Sequence, residues 1–239
     1  MRFRDYFSKT TFFCFSPPVM LFTLILEFFL AGYIIISSRW HRVSTVIITL
    51  LLVCLGIFQL AEFQVCSGKN SVFWMQLGYI TITFLPALGI HLVTVITKHK
   101  WIRNLGYIFT LGFIGVFLFG THYIQSATCG GNYVLVNTNG TIGQIYYLVY
   151  YTIALAVIGL EILWVVGKYT NQDKEIRETR LALYWLFTGL VIFLIPTGAV
   201  YLLSPAARSG IPSIMCGFAV FLAVILAIFV YPLYRKLDL

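Results

Sequence analysis

Three glutamates and one histidine lie inside long apolar runs, where ionisable side chains are energetically expensive and usually functional. They are Glu27, Glu62, His91 and Glu161. Such groups can relay protons, bind a polar ligand or pair with one another inside a helical bundle. His91 and Glu161 fall at a similar depth in their two runs, so we expect their side chains to meet. We expect Glu27 to be protonated, or hydrogen-bonded to Gln59 or a tyrosine hydroxyl.

Other polar and small side chains extend these positions into stripes along single helix faces. One stripe joins Gln76, Thr83 and His91 at helical spacing, and another joins Tyr147, Tyr150 and Glu161. Close helix packing alone can produce stripes of this kind. The candidate ligand-binding or polar-core residues are Glu27, Gln59, Glu62, Gln76, Tyr79, Thr83, His91, Tyr147, Tyr150 and Glu161.

The same residues lack the pattern of a catalytic or metal centre. His91 and the glutamates are not at metal-ligand spacing, and no GxSxG-type nucleophile motif is present. The last apolar run has no lysine that could hold retinal as a Schiff base. We therefore expect neither an enzyme nor a resident metal or cofactor.

The composition predicts an integral membrane protein, and seven runs are long enough to cross a bilayer. The chain has 239 residues, of which 60% are hydrophobic and 10% charged. We predict a single all-α domain over residues 1–239, a multi-pass bundle of seven transmembrane helices. The predicted spans are 17–37, 43–64, 72–97, 101–120, 142–167, 180–203 and 211–234.

The distribution of basic residues predicts the orientation of this bundle in a cell membrane. Five of the 16 Lys and Arg residues fall on the side of the N-terminus and eleven on the other side. The positive-inside rule then places the N-terminus outside and the C-terminus in the cytoplasm. Attraction to anionic lipid accounts for the net charge of +8, so we expect the lipid bilayer and no nucleic acid as a partner.

Two cysteines fall in loops predicted to be outside. Cys66 follows the second span and Cys129 precedes the fifth, and an oxidising compartment would let them form a disulfide. Two unpaired cysteines remain the alternative. In the same loop, NYVLV lies between two glycines and the turn-rich NTNG, which predicts a short strand or hairpin over the outer mouth of the bundle.

The third and sixth spans resemble the N-terminal seven-helix sensory region of prokaryotic histidine kinases. The resemblance covers LAEFQVCSG, FWMQLGYITITFLPALGIHLVTVIT and ETRLALYWLFTGLVIFLIPTGAVYLL. The positions that carry it are Leu77, Gly78, Tyr79, Pro86, His91, Gly189, Leu190 and Pro196. It implies a membrane input module that passes a signal to a cytoplasmic catalytic domain. No kinase domain follows YRKLDL, so we expect the output to belong to another chain.

We therefore expect a receptor-like module that binds a small molecule or lipid and signals through a partner. The pocket is expected to open outward among spans one, two, three and five, beneath residues 121–141. Pro86 and Pro196 are predicted hinges, because each frees a carbonyl from its helix. The loop 167–180 is a candidate partner site and is expected to extend the fifth or sixth helix. The alternatives are a small transporter or proton-path protein that uses the intramembrane Glu27, His91 and Glu161, and a structural subunit of a membrane complex.

Overall fold

The computed structural model describes residues 17–37, 42–119, 123–129, 134–138, 142–143, 145–168, 174–203, 208 and 210–237. Within these ranges the chain forms seven helices that are long and apolar enough to cross a membrane. This confirms the prediction of a multi-pass helical bundle.

The helices, numbered in chain order, agree with the predicted spans to within a few residues at most ends. Helices α1 to α4 are Pro17–Ser37, Val43–Cys66, Ser71–Thr97 and Lys100–Phe119. Helix α5 consists of a π-helical segment, Ile145–Tyr150, followed by Tyr151–Lys168. Helix α6 is Lys174–Leu203, and α7 comprises Ile211–Ile225, the π-helical turn Leu226–Val230 and Tyr231–Lys236. The early start of α6 confirms that a helix extends into the 167–180 connection.

Local signals set the boundaries of α3. The Asn70 side chain accepts a hydrogen bond from the backbone N–H of Phe73 at 3.2 Å, which caps the start of the helix. At the other end Lys98 adopts a left-handed conformation with φ 63°, which stops the helix and turns the chain directly into α4. The chain therefore reverses within two residues, Lys98 and His99.

Helix α3 lies at the centre of the bundle. Its apolar span is 72% buried, against 17% for α4. It packs on α2, α4 and α5, while α6 packs on α5 and α7, and α7 also contacts α1 and α2. Gly78 allows the close approach of α2, because a Cβ atom there would lie 2.9 Å from the Phe58 ring. Polar groups on α3 are thus held in the bundle interior.

A disulfide-linked β-hairpin covers one end of the bundle. Strand β1, Ile124–Cys129, pairs antiparallel with β2, Val134–Thr138. Cys66 at the end of α2 is bonded to Cys129 of β1, which confirms the predicted disulfide and the predicted hairpin. We call this the hairpin end. The opposite end, where α3, α5 and α7 finish at Thr97, Lys168 and Lys236, is called the basic end.

Candidate functional site

A group of tyrosines from α5 compensates for the proline in the middle of α3. Pro86 has no N–H, so the carbonyl of Ile82 lacks its usual helical partner. The Tyr151 hydroxyl donates to this carbonyl at 2.8 Å, and the Tyr150 hydroxyl donates to the neighbouring Thr83 carbonyl at 2.8 Å. Both tyrosines are buried. Helix α5 therefore braces α3 at the point where its own hydrogen bonding is interrupted.

The bracing tyrosines belong to a hydroxyl network that joins α3, α4 and α5. The Tyr146 hydroxyl lies 2.8 Å from Thr83 Oγ1 and 3.4 Å from the Tyr151 hydroxyl. The Thr110 hydroxyl of α4 lies 2.8 Å from that of Tyr150. Thr83 and Tyr150, two of the predicted site residues, are thus brought together. We call Thr83, Thr110, Tyr146, Tyr150 and Tyr151 the tyrosine network.

The π-helical start of α5 explains why this network was only partly predicted. A π-helical turn closes i→i+5 hydrogen bonds, so residues five apart share a face. Tyr146 and Tyr151 consequently point toward α3 together, which α-helical spacing does not predict. Our prediction selected Tyr147, whose side chain lies outside the described residues. The cluster of aromatic residues in IYYLVYY indicated from the sequence that tyrosines of α5 are important. It did not indicate which of these side chains face α3.

Aromatic rings fill the space between this network and the hairpin. Tyr79 is 1% exposed, and its ring centroid lies 5.4 Å from that of Phe117 and 5.9 Å from that of Tyr123. Burial raises the pKa of the Tyr123 hydroxyl above its usual range. Tyr79 is therefore a packing residue beneath the hairpin rather than the wall of an open pocket.

The predicted contact between His91 and Glu161 is wrong. The Nδ1 atom of His91 lies 2.9 Å from the Tyr107 hydroxyl on α4. Glu161 instead faces His99, whose Nδ1 atom lies 2.8 Å from Oε2 and 3.0 Å from Oε1. The left-handed turn at Lys98 directs His99 back toward α5, whereas His91 faces α4. The two histidines therefore contact different helices, His91 contacting α4 and His99 contacting α5.

A second buried polar group lies between α1, α2 and α7. Glu62 Oε1 accepts a hydrogen bond of 2.6 Å from the Ser213 hydroxyl, and Gln59 Nε2 donates to the Cys216 carbonyl at 3.2 Å. The Cys216 thiol is within electrostatic range of both Glu27 and Glu62. We call Glu27, Gln59, Glu62, Ser213 and Cys216 the acidic group.

Glu27 does not form the predicted bond to Gln59 or to a tyrosine. Its side chain is 0% exposed, and neither carboxyl oxygen has a hydrogen-bonding partner among the described residues. The Gln59 amide is directed to α7 instead. Gln76, another predicted site residue, is half-buried in α3 and joins neither the tyrosine network nor the acidic group. In the described part of the chain, no cluster of three His, Cys, Asp or Glu residues could hold a metal ion.

The cavities of the described structure include three that border α3 to α7, and these three lie elsewhere than the predicted position among α1, α2, α3 and α5 beneath the hairpin. One of about 540 Å³ lies at the basic end, and one of about 300 Å³ lies between α3, α4 and α5, beside Glu161. The third, of about 380 Å³, lies between α5, α6 and α7. Its α6 wall includes residues on both sides of Pro196, namely Leu194, Ile195, Thr197, Gly198, Ala199, Tyr201 and Leu202. We call it the Pro196 cavity.

The Pro196 cavity connects both prolines. Tyr151, which donates to the Ile82 carbonyl freed by Pro86, forms part of its α5 wall. Pro196 removes the corresponding hydrogen bond to the carbonyl of Ile192. Among the described residues no side-chain donor replaces that bond. One proline is therefore braced by a tyrosine and the other is not, and the cavity adjoins both regions.

The comparisons with known proteins do not assign a family. No model of a known protein family matches the chain. A search of curated proteins finds no similar sequence.

Proposed function

We propose that the chain is a receptor-like membrane module that binds a small apolar or amphipathic molecule, or a lipid, and signals through a separate partner chain. The observation that carries this proposal is the position of the Pro196 cavity. Its volume of about 380 Å³ falls within the roughly 300–1,000 Å³ typical of small-molecule sites. Its wall is mostly apolar and also includes Tyr151, Thr197 and Tyr201, so it suits an apolar or amphipathic ligand.

The contrast between the two prolines defines the proposed movement. Helix α3 is held at Pro86 by Tyr151 and Tyr150, so it serves as the fixed element. Among the described residues, no side chain from a neighbouring helix braces α6 at Pro196, and only Thr197 of α6 itself donates to the Phe193 carbonyl, at 3.0 Å. Helix α6 is therefore the element that can change its bend. A ligand in the cavity contacts the braced side through Tyr151 and the unbraced side through Thr197 and its neighbours. It can therefore favour one α6 packing over another.

The output of this movement is proposed to be at the basic end. Helix α6 runs without interruption from Pro196 to Lys174. A change of bend at Pro196 therefore displaces the start of α6, which belongs to the candidate partner segment 167–180. Residues 169–173 of that segment lie outside the described residues. The proposal includes a cytoplasmic basic end, and the resemblance to histidine kinase sensory regions supports the same direction of signalling.

Photolabelling tests the proposed site. The purified protein is irradiated with a fatty acid that carries a diazirine and an alkyne, and the labelled peptides are identified by mass spectrometry. We expect labels in α6 around Pro196 and in α5 around Thr152. Ala199→Trp, which fills the Pro196 cavity, should reduce this labelling by at least tenfold. Leu105→Trp is the matched control, because it fills the cavity beside Glu161. Equal labelling of the two variants at α6 would contradict the proposal.

A second function, that of a small transporter or proton-path protein, is favoured by one observation. Glu27 is fully buried, and its carboxyl oxygens have no hydrogen-bonding partner in the described part of the chain. A path would pass from Glu27 along the acidic group to Ser213 and the hairpin, and not through His91 or Glu161 as the sequence suggested. Proton flux into liposomes, measured with a pH-sensitive dye, tests it. Flux lost in Glu27→Gln but kept in Glu161→Gln would establish this function.

A further inference from the structure

The largest of the three cavities lies at the basic end, between α5, α6 and α7. Its volume is about 540 Å³. Its floor is apolar and includes Val166, Leu181 and Leu233. Leu181 and Tyr184, also in its wall, are 45% and 67% exposed, so the cavity is bordered by side chains on the lipid-facing surface. An apolar floor of this kind can accommodate a hydrocarbon chain.

The rim of this cavity carries positive charge. Among the described residues, Arg177, Arg180 and Lys236 line it, and Glu178 is the one acidic residue in its wall. Lys236 Nζ lies 3.8 Å from Glu178 Oε1, and its side chain is 61% exposed, so this ion pair is weak. The guanidinium of Arg180 is held in place by a 2.9 Å hydrogen bond to the Val166 carbonyl. In the described part of the chain, the rim thus contains two guanidinium groups, an ammonium group and one carboxylate.

The rim and floor lie at different depths along the same helices. The apolar spans Ile176–Leu203 and Ser213–Lys236 both end here, and Arg177 and Lys236 lie at or next to those ends. Leu181 and Leu233 lie further into the spans, and in a bilayer the ends of such spans meet headgroups while deeper residues meet acyl chains. A molecule that fits both levels has an anionic head and a hydrocarbon tail.

We propose that this cavity is a binding site for an anionic glycerophospholipid. The phosphate is recognised by Arg177, Arg180 and Lys236, because guanidinium groups bind phosphate oxygens in a bidentate manner. One acyl chain lies along Val166, Leu181 and Leu233. The site is distinct from the Pro196 cavity, and it is formed by the ends of the same three helices. Lipid bound there would hold the start of α6 against α5 and α7.

Lipid retention measured by native mass spectrometry tests this proposal. The detergent-solubilised protein is mixed with equal amounts of phosphatidylglycerol and phosphatidylcholine of the same chain length. We expect selective retention of phosphatidylglycerol. The variant Arg177→Gln/Lys236→Gln should retain it about 25-fold less, since a basic residue near anionic lipid contributes about fivefold in affinity. The variant Lys98→Gln/Lys100→Gln is the matched control, because it removes two exposed cations at the same end but outside the cavity.

Two results would overturn the proposal. The first is an equal loss of phosphatidylglycerol from both double variants, which would show only diffuse attraction to the basic end. The second is unchanged retention in Arg177→Gln/Lys236→Gln. The single variant Arg177→Gln should retain phosphatidylglycerol about fivefold less than the parent protein. It replaces the double variant in the test if the double variant does not fold. Leu181→Trp, which fills the acyl-chain level, should reduce retention of phosphatidylglycerol without removing any charge.

Discussion

The bracing of α3 by Tyr151 predicts a specific coupling between two substitutions. Tyr151→Phe removes the donor to the Ile82 carbonyl, whose helical partner is already missing because residue 86 is proline. A buried carbonyl left without a donor costs about 1–3 kcal/mol in water-soluble proteins. Interhelical hydrogen bonds in a membrane protein average about 0.6 kcal/mol with a maximum near 1.7. We therefore expect Tyr151→Phe to lower the free energy of unfolding by about 1–2 kcal/mol.

In a Pro86→Ala background the same substitution should cost much less. The alanine N–H can donate to the Ile82 carbonyl, so the Tyr151 hydroxyl is no longer its main donor. We expect a coupling free energy of about 1 kcal/mol between the two sites, measured by a double-mutant cycle in mixed detergent and dodecyl sulfate micelles. Tyr184→Phe is the control, because this tyrosine is 67% exposed and its substitution should have little effect in either background. An equal cost of Tyr151→Phe in both backgrounds would refute the bracing.

Three further predictions concern the disulfide, the contact between His99 and Glu161, and the glycine contacts. Cys129→Ser opens a link across 63 residues and should lower the free energy of unfolding by about 2–4 kcal/mol. Reductant should destabilise the parent protein by a similar amount and leave Cys129→Ser unchanged, while the control Cys54→Ala should keep the response to reductant. Glu161→Gln should shift the side-chain NMR signals of His99 and leave those of His91 in place. A shift of the His91 signals without a shift of the His99 signals would instead support the contact between His91 and Glu161 predicted from the sequence. Gly78→Ala places a Cβ atom 2.9 Å from the Phe58 ring and should cost about 1–3 kcal/mol, whereas Gly32→Ala meets no atom within 4 Å and should be neutral within about 0.5 kcal/mol. Equal unfolding midpoints of these two variants in thermal denaturation would contradict the packing described for α2 and α3.

The helices and the hairpin were largely predictable because their signals are local. Apolar runs bounded by charged residues fix the spans, and the order of the spans places Cys66 and Cys129 at the same end of the bundle. The glycines around NYVLV indicated a turn and a strand without knowledge of any partner. Each of these features depends on a short stretch of sequence and on the bilayer, so neighbouring helices did not need to be known.

The side-chain contacts were less predictable, because they depend on helix rotation and on departures from α-helical geometry. The π-helical segment Ile145–Tyr150 changes the phase of α5 and brings Tyr146 and Tyr151 to the interior. The left-handed Lys98 moves His99 to Glu161, a contact that depth in the membrane alone cannot distinguish from one with His91. In both cases, the polar positions were recognised and the partners were not.

We propose that occupancy of the Pro196 cavity changes the position of α6. Nitroxide labels at Lys100 on α4 and Arg177 on α6 report this position by pulsed electron resonance, with and without the diazirine fatty acid. We predict a shift in the distance distribution for the parent protein and none for Ala199→Trp. Leu105→Trp should behave like the parent protein. Two results would contradict this proposal. In the first, saturating fatty acid binds the parent protein but leaves the distance distribution unchanged. In the second, it shifts the distance distribution of Ala199→Trp as much as that of the parent protein.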